Sequence, residues 1–303
     1  MKISPIILFA YNRPKHTSVM LDSLSKCWLF KESKVYIYID GPKKIINDKI
    51  KFKKVCILVN KFKKNNSNIK VYISKKNLGL FKNLTHGISS ILKRHQTAII
   101  LEDDLQVKKN FLIFMNKSLN LYKKNKKVFQ ISGYSYPIKT NNNKAYFLNL
   151  TSCWGWGIWK DRWQEFERFT QNKKEIDNLF LKIKDNKELK YKFNINNSFN
   201  YLKFLKKQIN SKFNSWGVLF YLYSFKNNSL NLFPSQSLVN NIGFDGTGLH
   251  KSRSNIFNSV NFKNDIKFTF NKRINTNTYN LDKISAFLKS ELSLYSKIKK
   301  ILF

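Results

Sequence analysis

The sequence predicts an α/β fold, a mostly parallel sheet flanked by helices. Two observations predict it. Between residues 5 and 104, four short apolar runs alternate with stretches of helical period. Each run is stopped by polar punctuation, in turn "YNRP", "DGP", "KKNLG" and "EDD". Such alternation marks parallel strands joined by crossover helices. Ligands in these sheets sit beyond the carboxyl ends of the strands, so the four punctuated tips are expected along one edge.

The elements follow in order. "PIILFAY" (5–11) is a continuous apolar run that suits a strand buried on both faces. From Thr17 a helical pattern carries Val19, Met20, Leu21, Leu24, Cys27 and Trp28. "VYIYIDG" (35–41) is a β-branched and aromatic strand ended by Asp40-Gly41-Pro42. Residues 45–63 read as a helix, "IKVYISK" (69–75) as a third strand, 80–94 as a third helix and "TAIILEDD" (97–104) as a fourth strand. Past about 127 the pattern changes. "VFQISGYSYP" (128–137) and "KAYFLNL" (144–150) read as strands around an Asn-rich loop. The Trp-rich "TSCWGWGIWKDRWQEFERF" (151–169) follows, then helical stretches to about 226, then a strand and Gly-rich loop at 229–250. This divides the chain at 1–127, 128–255 and a basic tail, 256–303.

Composition narrows the function. Hydrophobic residues at 42% and aromatics at 15% are ample for a packed core and argue against disorder. A formal charge of +38 attracts polyanions, which leaves nucleic acid, anionic lipid and phosphorylated small molecules as partners. The basic residues are spread evenly and no nucleic-acid-binding pattern appears, so no specific nucleic acid is expected. Three widely spaced cysteines suggest neither a disulfide frame nor a zinc site, which fits a reducing, cytoplasmic setting. The N-terminal apolar run is too short for a signal peptide and no window approaches a membrane span. In the tail, Ile284, Phe287, Leu288, Leu292, Tyr295, Ile298 and Leu302 share one helical stripe amid lysines. Such a helix can lie in the headgroup plane of an anionic bilayer or dock on the protein's own core.

Glu102, Asp103 and Asp104 stand together directly after the fourth strand. Mutual repulsion requires a positive partner, either a protein cation or a hard divalent ion such as Mn²⁺ or Mg²⁺ that also binds substrate phosphates. A helix N-cap cluster is the plainer alternative. "PIILFAYNRP", "IYIDGP", "NLGLFKN", "ILEDDLQV", "CWGWGIWKDRW" and "LFPSQSLVNNIGFDGTGLH", in this order, resemble bacterial sugar transferases of surface-polysaccharide clusters. These look like relatives of N-acetylglucosaminyltransferase I. The resemblance spans roughly residues 4–250. It implies a GT-A fold with a Rossmann-like sheet and an acceptor-side α+β half. The implied activity is transfer of a sugar, from a UDP-sugar or related nucleotide-sugar, to a glycan or lipid-linked acceptor.

Carried over residue by residue, the resemblance points to Tyr11, Asn12 and Arg13 at the first tip and Asp40 facing the uracil. Asn77, Gly79, Lys82 and Asn83 would border the nucleotide, and Asp104 would be the direct metal ligand. Glu102 and Asp103 would support the sugar, the ribose or the metal's waters. Trp154, Gly155 and Trp156 would form a sugar platform, with Trp156 facing the cleft and Trp154 and Trp159 partly core. His250 would reach the metal or the diphosphate. Many relatives place an Asp just after the Trp of the segment matching "FNSWGVLFYLY", but here Gly217 follows Trp216. Asp161 and Asp245 are then the candidate general bases. The basic surface would hold the enzyme on the cytoplasmic face of the inner membrane, in lipopolysaccharide, lipooligosaccharide or capsule assembly.

Overall fold

The computed structural model describes residues 1–211, 215–246, 256–258, 268–270 and 273–301, with the backbone alone for 292–301. In its first half, strands β1 (Ile6–Ala10), β2 (Val35–Ile39), β3 (Ile69–Ile73) and β4 (Thr97–Glu102) alternate with helices α1 (Pro14–Ser25), α2 (Ile46–Lys64) and α3 (Leu80–Leu92). β5 (Leu105–Val107), α4 (Phe111–Leu121), β6 (Val128–Ser132), β7 (Tyr146–Leu148) and β8 (Trp156–Trp159) follow. Then come α5 (Lys160–Gln171), α6 (Lys173–Asp185), α7 (Lys187–Phe193), α8 (Tyr201–Ile209) and α9 (Trp216–Lys226). β9 (Leu230–Phe233), β10 (Val239–Asn241) and α10 (Thr278–Ile301) complete the order.

Eight strands form one sheet in the order β3-β2-β1-β4-β8-β6-β9-β7. The β3-β2-β1-β4 half is parallel throughout, as is the β6–β9 pair, while β8 and β7 run against their neighbours. The protein is therefore an α/β fold with a large, mostly parallel sheet. Its two faces are covered by different helices. Ile6, Leu8, Ile37, Ile99 and Leu101 point to α1, α2 and α4, where Met20, Leu24, Val55, Val59 and Phe111 meet them. Ile7, Phe9, Tyr38, Ala98 and Ile100 point to α3, α5 and α9, packing with Leu84, Ile88, Trp163 and Phe220. Burial on both faces is why these strands read as unbroken apolar runs.

The sheet order places the site. The chain runs outward from β1 to β2 to β3, then returns to lay β4 on β1's other side. Where winding reverses, neighbouring crossover segments diverge and leave a crevice at the strand ends. Here the reversal falls between the tips of β1 and β4, which is where such a crevice is expected. β5 pairs with β10 in a small separate sheet, which carries residues 242–246 back over it.

The expected helix at the tail is α10. Ile284 and Leu288 are buried in the main core, and Phe287 packs edge-on to Tyr136 and Phe257. This half of the stripe docks on the protein itself. Among the described residues, no helix is long and apolar enough to cross a membrane. The three cysteines are free.

Candidate active site

Arg13 closes the gap between the two inner tips. It stands at the N-terminus of α1, and its Nη1 lies 2.7 Å from Asp104 Oδ2 across the crevice. Its Nη2 donates to the carbonyl of Gly243 at 3.4 Å, so the overlying loop is tied to the same group. Gly243 sits so close that an added Cβ would lie 2.4 Å from Asp104 Oδ2. The Ile242 amide donates to the Asp104 carbonyl at 2.8 Å. One turn along α1 from Arg13, His16 Nε2 meets Asp245 Oδ2 at 3.2 Å. The loop after β10 is thus held at the crevice mouth by two side chains of one helix.

The other two acids differ in surroundings. Asp103 is buried and accepts the Tyr11 amide at 3.1 Å, while Glu102 ends β4 opposite Phe9 of β1. Burial lifts the proton affinity of both carboxyls, and the neighbouring Asp104 lifts it further. Arg13 opposes the shift without cancelling it. Three carboxylates share one nearby guanidinium. That excess of negative charge is what a divalent cation would neutralise. Among the described residues, no group of three His, Cys, Asp or Glu side chains is arranged to hold a metal. Carboxylate oxygens such as these are the donors a hard cation takes, one or two at a time, with substrate phosphates completing the shell.

The β1 tip is braced from α2. Asp48 accepts the Tyr11 hydroxyl at 2.6 Å, the Lys43 amide at 2.6 Å and a hydrogen bond from Asn12 Nδ2. Burial alone would raise the Asp48 carboxyl, but these donors hold it below its ordinary range. For Tyr11 burial and Asp48 act together and push the phenol up.

Asp40 has a comparable arrangement one strand over. Its Oδ1 accepts the amides of Gly41 at 2.9 Å and Leu78 at 2.8 Å. Its Oδ2 accepts Gly79 N at 2.9 Å and Asn77 Nδ2 at 3.2 Å. Gly79 opens α3 at φ 77°, in the left-handed region that glycine enters without strain. Asn83 is buried behind it and its amide closes the first helical bond to Gly79, while Lys82 is exposed. Asp40 thus uses both oxygens to fix the 77–79 loop. That loop borders the position where the resemblance expects the base.

No protein-family model matches this sequence, and no curated protein matches it. Its fold is similar to several solved structures. One is mannosyltransferase PcManGT from Pyrobaculum calidifontis in complex with GDP-Man and Mn²⁺, at 10% identity, TM-score 0.39, covering 53% of this chain and 46% of that one. Another is residues 1–349 of TarS from S. aureus, at 14% identity and TM-score 0.44, covering 79% and 60%. A third is GalNAc-T7 with UDP, GalNAc and Mn²⁺, at 11% identity and TM-score 0.46, covering 78% and 43%. This chain spans 43% to 60% of the length of these three proteins.

Trp154 and Trp156 exchange the places expected of them. Trp156 is fully buried, packed on Trp163, Trp216 and Phe220, because β8 turns its side chain toward α5 and α9. Trp159 is also core. Trp154, next to buried Gly155, is the partly exposed one. It packs edge-on to Tyr134, Phe257 and Phe244 of the overlying loop, beside the crevice.

Asp161 does not join the site. β8 runs antiparallel to β4 with Trp159 opposite Thr97, so α5 begins at the far end of the sheet. At about 3.3 Å per strand residue, that is roughly 17 Å from Glu102. Asp161 there pairs with Lys126 and Arg162. His250 lies outside the described residues. Two residues that the sequence reading passed over do belong here. His16 is signalled by its i+3 spacing from Arg13, and Asp48 is the one acid within the lysine-rich α2. Gly217, where the resemblance expects an acid, abuts Cys153, an added Cβ meeting its Sγ at 3.0 Å. Burial raises the Cys153 thiol, and the field of Glu102 adds to it.

Proposed function

We propose that this chain is a glycosyltransferase that takes its sugar from a nucleotide-sugar, a UDP-sugar in particular. The acceptor is a glycan or lipid-linked saccharide of cell-surface polysaccharide assembly. The observation that carries the reading is the acidic triplet at the winding reversal, faced by Arg13 and roofed by the loop after β10. A diphosphate leaving group needs positive charge at the point where its bond to the sugar breaks. Arg13 offers one such charge from the β1 tip. Asp104, with Glu102 beside it, would hold a Mn²⁺ or Mg²⁺ that supplies the other when bound. Trp154 offers an aromatic face at the crevice, suited to the apolar face of a sugar ring.

The acceptor hydroxyl must lose a proton as it attacks. Asp245, with His16 against one oxygen, is the carboxylate on the mouth of the crevice and takes that role. The other candidate, Asp161, is at the opposite sheet edge. A nucleotide-binding protein without turnover is the second reading, favoured by the absence of any acid between Ser215 and Lys226.

The test is thermal denaturation with UDP, GDP, CMP and their sugars, with and without Mn²⁺. A nucleotide at a hundredfold over its Kd should stabilise the fold by about 3 kcal/mol. The expected result is stabilisation by UDP-sugars only with metal, lost in Asp104→Ala. An equal response to every nucleotide would reduce the effect to general charge and refute the proposal. UDP release with an acceptor panel then separates the enzyme from the silent binder.

A further inference from the structure

We propose that the outward face of α2 is a docking surface for an anionic lipid bilayer. α2 buries Val55 and Val59 against the sheet. Its opposite face carries Ile46, 78% exposed, Ile50, 49% exposed, and Ile57, 68% exposed, with Ile45 at 59% just before the helix. At 3.6 residues per turn, positions 46, 50 and 57 fall within about 40° of one another. Lys53, Lys54, Lys61 and Lys64 lie on or beside the same stripe. Nine lysines occur between residues 43 and 64 against a single acid, Asp48. That acid is taken up by Tyr11, Asn12 and the Lys43 amide. Among the described residues, no ion pair joins any of these lysines to a carboxylate.

The combination selects the partner. A nucleic-acid backbone would use the lysines and leave the isoleucines in water. A second copy of this face would set lysine against lysine. An anionic bilayer satisfies both, since isoleucine enters the acyl boundary while lysine stems cover apolar surface and keep their ammonium groups among the headgroups. Position gives the contact a use. Ile45 and Ile46 lie at the carboxyl edge of the sheet, and Asp48 ties this end of α2 to the β1 tip beside the Arg13–Asp104 pair. The docked face would bring the crevice mouth to the membrane, where a lipid-linked acceptor is found. That use rests on the transferase reading. The binding itself does not, because it is measured without turnover.

The test is co-sedimentation of the full chain with vesicles of phosphatidylcholine alone and with about a third phosphatidylglycerol, at physiological salt. Ile46→Ser/Ile50→Ser/Ile57→Ser keeps every charge and changes only exposed side chains. Partitioning into the anionic vesicles should fall by at least about tenfold, given the apolar area withdrawn. Leu121→Ser, which removes an apolar group 57% exposed on α4, should partition as the parent does. Ile46→Trp should show a blue-shifted emission with anionic vesicles only. Unchanged partitioning of the triple variant would assign binding to diffuse charge or the tail and overturn the proposal. So would an unshifted emission from the Ile46→Trp variant, or sedimentation velocity showing a dimer that the triple variant abolishes.

Discussion

Removing either member of the Arg13–Asp104 pair should have unequal consequences. Both side chains are mostly buried, at 16% and 23% exposure, with their charged atoms 2.7 Å apart. A charge-assisted bond of this kind contributes about 2 to 3 kcal/mol. Asp104 also repels Glu102 and Asp103. Two full charges about 6 Å apart at an effective dielectric of about 20 would repel by about 3 kcal/mol. Glu102 and Asp103, however, hold their protons more tightly than exposed carboxyls and are only partly ionised, so the two repulsions together come to about 3 kcal/mol. In Asp104→Asn the lost attraction and the relieved repulsion nearly cancel, so Tm should move by no more than about 3 °C. In Arg13→Met the attraction goes and three carboxylates remain together. The loss should be about 3 kcal/mol, roughly 6 °C at this chain length.

The pH dependence of Arg13→Met has a definite sign. Glu102 and Asp103 already hold their protons more tightly than exposed carboxyls, through burial and Asp104. Without Arg13 that affinity rises further. The folded state then binds more protons than the unfolded chain, whose carboxyls titrate at about 4, so stability falls as pH rises from there through the folded pKa. Arg13→Met should be most destabilised near pH 8 and recover toward pH 5, and Mn²⁺ should restore part of the loss at pH 8. Differential scanning fluorimetry across pH decides it. Equal, pH-independent losses in the two variants would show that the triplet is not charge-strained, and the argument for a cation at this crevice would go with it.

Five further outcomes follow from single positions. Asp40→Asn replaces an acceptor of four bonds by a group that must turn an N–H toward another donor, and should cost about 2 to 4 kcal/mol in chemical denaturation. Gly243→Ala forces a methyl against Asp104 Oδ2, so metal-dependent nucleotide binding by calorimetry should weaken at least about tenfold, with Tm changing by only a few degrees. Trp156→Ala empties a core position and should destabilise by about 3 to 5 kcal/mol, whereas Trp154→Ala should cost less stability and act on the acceptor KM. Asp161→Asn, at the far sheet edge, should leave transfer rates within about twofold of the parent, which a UDP-release assay reads directly.

The parallel half of the fold was legible because one physical cause wrote both signals. Strands covered on both faces must be apolar throughout, and the chain between them must be helical to return, so "PIILFAY" and "VYIYIDG" stand out and match β1 and β2. The polar stops mark where backbone leaves the sheet for solvent, which is why four tips could be expected together. β5 and β8 were not legible. β5 is three residues long and pairs only with β10, some 130 positions later, a contact with no local pattern. β8 hides in "WGIW", where the aromatic content that suits a ligand platform equally suits a strand between two helical layers.

The site was legible at the level of strand tips and illegible at the level of lone pairs. Sequence places Asp40 and Asp104 alike, each an acid ending a strand beside a turn. In the fold Asp40 spends its oxygens on four donors of its own loop, while Asp104 spends one on Arg13, a neighbour from another strand tip. The difference arises because "KKNLG" bends its backbone N–H groups inward at Gly79, and no sequence spacing between 40 and 79 encodes that bend. The same reasoning covers Asp161 and Asp245, both acids of the chain's second half with no local signal to rank them. Which of them reaches the crevice depended on strand direction: β8 descends away from the tips, whereas β10 pairs with β5 and delivers Asp245 to His16. A candidate carboxylate must therefore be judged first by which end of its strand faces the winding reversal, and only then by its chemistry.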